Sequence, residues 1–146
     1  MKRADAAKFI ALCTRATNAT ATTSLRIVVK DLLDRGQVVV ACGNLLGSGR
    51  SPATLAAALT SHPMLHTAEG EFFREAINVA SRHLGLKVSG IVERQALELG
   101  SAVLGISPER LQQTLKELGR PLGPPWRQDE KLATLAAWLA LAEGRK

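Results

Sequence analysis

Tyrosine is absent from this chain, and aromatic residues make up only 3% of its 146 positions. A core built around large rings is thereby excluded, so Leu, Ala, Val and Ile must supply it. Cysteine is scarce too: Cys13 and Cys42 both sit in apolar stretches and read as buried thiols in a reducing compartment, not as a disulfide or a metal pair. Long apolar runs are missing, since the most apolar segment, Leu132 to Ala142, is about half of what a bilayer span requires. Asp5 and Lys8 interrupt what would be the apolar region of a signal peptide at Phe9 to Cys13. A cytoplasmic protein without membrane contact is expected. There is no internal repeat, no low-complexity tail and no complete catalytic motif.

What is present favours one domain, because 46% hydrophobic content over this length can bury a substantial core. The ends, residues 1–7 and 143–146, are expected to fray. The formal charge of +6 favours polyanionic partners, nucleic acid or a phosphorylated ligand, although the basic residues are spread along the chain and form no single run.

Along the chain, Phe9 to Thr14 reads as a first strand, and the Thr-rich Thr14 to Thr23 as its extension, with a turn at Asn18-Ala19. Residues 24–34 fit helix or strand. Leu25, Val28, Val29, Leu32 and Leu33 have helical spacing and Gly36 offers a stop, so helix fits better. Gln37 to Cys42 is the clearest strand, and Ser51-Pro52 looks like the start of a short helix. The central helix places Phe73, Ile77, Ala80 and Leu84 on one face, with Thr67 as N-cap and Glu69 and Glu71 in the first turn. A strand at Leu86 to Val92 follows, then helices at Gln95 to Leu104, from Ser107-Pro108, and at Leu132 to Ala142. Phe73 and Trp138 are predicted to be largely buried.

Three segments carry candidate chemistry. The first is the glycine loop Gly43, Gly47, Gly49, Arg50 and Ser51, where strand, loop and helix start would present backbone N–H groups to a phosphate. It matches neither the P-loop, which needs glycine at Asn44 and lysine at Arg50, nor the dinucleotide fingerprint. The second is His62 and His66, four apart with Glu69 three further on, which is metal-ligand spacing if Pro63 lets the helix run through. The third is the approach to the last helix, where prolines stiffen the chain, Trp126 anchors it, and Asp129 and Glu130 complement the helix dipole.

The order of elements from 67 to 142 resembles the ribonuclease H-like fold of Holliday-junction resolvases and their relatives. It runs from a helix with early carboxylates (Glu69, Glu71) through the strand Gly85-Leu86-Lys87-Val88-Ser89-Gly90-Ile91-Val92 and a small helical insert to Asp129 at the start of an Ala- and Leu-rich last helix. The resemblance implies that carboxylates hold two magnesium ions for phosphodiester hydrolysis. Glu69 or Glu71 and Asp129 are the positions that match, and the first strand contributes no carboxylate. An inefficient or non-catalytic member is therefore implied.

The expected fold is a single three-layer α/β domain with a sheet of three to five strands flanked by helices, ribonuclease H-like or doubly wound βαβ. Three functional readings stand beside it. One is a divergent ribonuclease H-like protein with a nucleic-acid or metal-phosphate role. Another is a small-molecule or nucleotide-binding module using the Gly43–Ser51 loop. The third is a non-catalytic interaction or oligomerisation protein.

Overall fold

The computed structural model of the chain describes residues 3–47 and 51–144. These form two compact units, Met1–Val39 with Gly49–Leu86, and Val40–Ser48 with Lys87–Lys146. The first unit contains α1 (Arg3–Asp34), α2 (Leu55–Ala58) and α3 (His62–His83). The second contains β1 (Ala41–Leu46), β2 (Lys87–Val92), a 3-10 turn at Glu93–Gln95, α4 (Ala96–Leu104), α5 (Pro108–Leu118) and α6 (Gln128–Glu143).

The expected three-layer α/β domain is corrected by this architecture. The described residues are mostly helical, and their sheet has two parallel strands, paired from Ala41 with Lys87 to Leu46 with Val92. Neither a ribonuclease H-like sheet nor a doubly wound one is present among them. The reason lies at the N-terminus, where the residues read as a strand and a returning hairpin are one helix of 32 residues. Threonine disfavours helix through its branched Cβ, but its hydroxyl can bond back to the preceding turn. The Thr14 hydroxyl donates to the Ile10 carbonyl at 2.9 Å and that of Thr22 to the Asn18 carbonyl at 2.8 Å. Cys13, Thr17, Ala21, Leu25 and Val29 then repeat every four residues on the half-buried side, and this face packs on α3. Tertiary packing overrides local strand preference here.

Residues 24–34 are helical, as their spacing favours. Gly36 ends α1 at φ 78°, with Gln37 N donating to the Leu32 carbonyl and Gly36 N to that of Leu33, which is the paired bonding of a Schellman stop. The strand expected at Gln37 to Cys42 sits four residues later. Residues 37–40 belong to no strand, because the partner strand begins only opposite Ala41.

The short second helix starts at Leu55 with Thr54 as its N-cap, not at Pro52. The central helix also starts earlier than expected. Ser61 is its N-cap, accepting from Met64 N, and Pro63 lies in the first turn, where a proline lacks no bond that the helix needs. Thr67 is inside the helix, its hydroxyl bonded to the Pro63 carbonyl at 2.9 Å. Glu69 and Glu71 are therefore past the first turn.

In the second unit α6 lies on β1 so closely that a Cβ on Gly43 would fall 2.2 Å from the Ala136 carbonyl oxygen. The core gathers Leu111, Leu115, Leu135 and Leu139 from α5 and α6 around Ile91 and Ala96. Trp138 packs partly buried against it. Phe73 does not behave as predicted: it is 54% exposed. Alanines at 76 and 80, not the phenylalanine, occupy the buried line of α3. No helix among the described residues is long and apolar enough to cross a membrane.

Candidate functional site

Continuity of α3 through Pro63 puts His62, His66 and Glu69 on one face. The Nε2 atoms of the two histidines are 2.9 Å apart, with the rings edge to face at 80°, and His66 Nδ1 is 3.3 Å from Glu69 Oε2. His66 thus spends one nitrogen on each neighbour. The three side chains form a chain of hydrogen bonds along an exposed helix surface, and their donor atoms do not converge on a common point. Among the described residues no three His, Cys, Asp or Glu side chains gather as a metal site.

Glu71 bonds Arg74 Nη1 at 3.1 Å, a partly exposed pair one turn apart. Asp129 is exposed in the first turn of α6, where it complements the helix dipole, and the neighbouring Glu130 accepts from Arg127 N at 2.7 Å. Glu69 and Glu71 belong to the first unit and Asp129 to the second.

The glycine loop is divided differently from its sequence reading. Gly43 is inside β1, where it admits the α6 backbone, and Gly47 follows that strand. Ser51 is exposed, and Gly49 and Arg50 lie outside the described residues. The helix that follows is only four residues long, and its N-cap Thr54 accepts from Ala57 N at 3.1 Å. In the second unit a shallow groove of about 410 Å³ runs over buried Leu115 and Leu132, flanked by Gln112, Lys116 and Glu109. It holds amides and offsetting charges but no nucleophile with a base.

A different surface stands out once exposure is known. Phe9, Leu12 and Ile27 on α1 are 60%, 56% and 65% exposed. With Ala16, Ala19 and Thr23 they follow one another at intervals of three, four, three, four and four, a stripe on the side of α1 opposite its half-buried face. No charge interrupts the stripe. The spacing was visible in the sequence, but a strand reading of residues 9–23 hid it.

The cores of the two units also differ. Among the described residues the large apolar side chains that are fully buried, Leu111, Leu135 and Leu139, all belong to the second unit. Among the described residues of the first unit the buried apolar ones are Ala58, Ala76, Ala80 and Leu86. Comparison with known proteins finds no matching family model, no matching curated protein and no matching solved structure.

Proposed function

We propose that this chain is a non-catalytic interaction or oligomerisation protein of the cytoplasm, with α1 as its contact surface. One observation carries the reading: among the described residues the first unit buries three alanines and a single leucine, Leu86, while α1 turns an uncharged, largely apolar stripe to solvent. Apolar burial stabilises by about 25 cal/mol per Å² removed from water, so a helix of this length with none of its described side chains fully buried leaves much of that free energy unused. A partner that covers the stripe recovers it. The carboxylates and histidines of α3 fit the same reading as solvated helix-surface pairs.

The test has two arms. The purified chain, with Glu69→Gln, Glu71→Gln and Asp129→Asn beside it, is assayed for magnesium- or manganese-dependent cleavage of single-stranded, duplex and branched nucleic acid. No turnover that these substitutions abolish is expected, and such turnover would overturn the reading. In the second arm, dilute protein is run on a hydrophobic-interaction column. The combined Phe9→Ser and Ile27→Ser variant should elute clearly earlier, and unchanged retention would also count against the proposal.

A further inference from the structure

We propose that the partner on α1 is a second copy of this chain, with the two α1 helices packed antiparallel along the stripe; this rests on the interaction reading above and adds who the partner is. The stripe is nearly symmetric about its own middle. Phe9 and Leu12 are bulky at one end, Ile27 at the other, and Ala16, Ala19 and Thr23 are small between them. Antiparallel pairing sets Ala16 opposite Ala19 of the second copy, where small side chains let the backbones approach closely. It sets Leu12 opposite Thr23, and Phe9 between Thr23 and Ile27, so that each bulky residue meets a smaller one.

Charge selects the direction. Asp5 and Lys30 continue the same line beyond the two ends of the stripe, and both are exposed. Antiparallel helices bring each Asp5 against a Lys30, whereas parallel helices bring Asp5 against Asp5 and Lys30 against Lys30. Within one copy Lys30 pairs with Asp34 at 2.5 Å, an exposed contact that leaves the ammonium free to bond a second carboxylate. Lys8, Arg15 and Arg26 fall on one edge of the stripe. In the antiparallel pair these edges share one rim, where the cations stay solvated and repel.

Contact over roughly 38 Å of helix buries on the order of 1,000 Å² in total, near the lower bound for a specific interface. The dimer should accordingly exchange with monomer as concentration changes.

Sedimentation of the full chain from low micromolar to several hundred micromolar measures this. A mass rising from one chain to two is expected, with a dissociation constant roughly a hundredfold weaker for Phe9→Asp while far-UV circular dichroism is retained. Asp5→Lys, which leaves the core untouched, should weaken dimerisation roughly tenfold, and adding Lys30→Asp should restore it. In a background of Cys13→Ser and Cys42→Ser, chains carrying Ala16→Cys should oxidise to chains carrying Ala19→Cys faster than to themselves. Preferential self-linking of each variant would overturn the antiparallel order. A chain that stays monomeric yet is retained on the hydrophobic column through Phe9 and Ile27 would overturn the dimer and leave the interaction reading standing. A monomer with no such retention would overturn both.

Discussion

Ser107 closes the first turn of α5: its hydroxyl accepts from Arg110 N at 3.3 Å. Bonds from its own backbone amide and from the Ser107 hydroxyl hold the Glu109 carboxyl below the ordinary carboxylate value. A depressed carboxylate favours the folded state above its unfolded pKa and loses that contribution as pH falls through the folded one. Loss of the N-cap bond to Arg110 N should make Ser107→Ala cost about 1 kcal/mol in chemical denaturation at neutral pH. The part that runs through Glu109 fades in acid, so the gap to the parent should narrow there. A gap that widens in acid would contradict this origin. Gly43 makes a different demand, since any Cβ there meets the Ala136 carbonyl. Gly43→Ala should lower stability by about 2 kcal/mol through displacement of α6 from β1, visible as a lower melting temperature. An unchanged melting temperature would contradict this demand for glycine.

At the scale of elements, legibility followed how local the determinants were. The helices α4 and α5 were readable because their boundaries are written in adjacent residues: Ser107-Pro108 opens one, and Gly105 at φ 67° closes the other, whereas α6, expected over Leu132 to Ala142, begins at Gln128. The strand β1 was read four residues early, since its register is set by Lys87–Val92 and by nothing inside residues 37–46. The reading of α1 failed because threonine preference is a local signal, while the packing of Cys13, Thr17 and Ala21 on α3 is not. The His62, His66 and Glu69 spacing was legible and their shared face follows from it, yet spacing alone does not say that His66 faces both neighbours. That arrangement predicts that His66→Ala changes stability by less than about 0.5 kcal/mol, as expected for an exposed pair, and that zinc leaves the melting temperature of the parent chain unmoved. A rise of several degrees with zinc, lost in His66→Ala, would show a metal site after all.

Across the whole molecule the uneven burial of large side chains sets where stability resides. Leu111, Leu135 and Leu139 are fully buried in the second unit, so Leu135→Ala should cost about 3 kcal/mol and speed amide exchange in α4, α5 and α6. In the first unit the buried apolar residues are mostly alanines, and its long helix leaves an exposed line through Phe9, Leu12 and Ile27. Its amides should open at lower free energy than those around Leu135 in dilute solution. If a second copy binds only the folded α1, mass action adds its binding free energy to that opening cost as concentration rises. Exchange in α1 should then slow over the same concentration range in which the sedimenting mass doubles, while exchange around Leu135 stays constant. Phe9→Asp should abolish the concentration dependence and leave the dilute rates nearly as they were. Equal protection of α1 and α6 in dilute protein would mean that the first unit draws its stability from its own contacts, and the case for a partner would fall with that result.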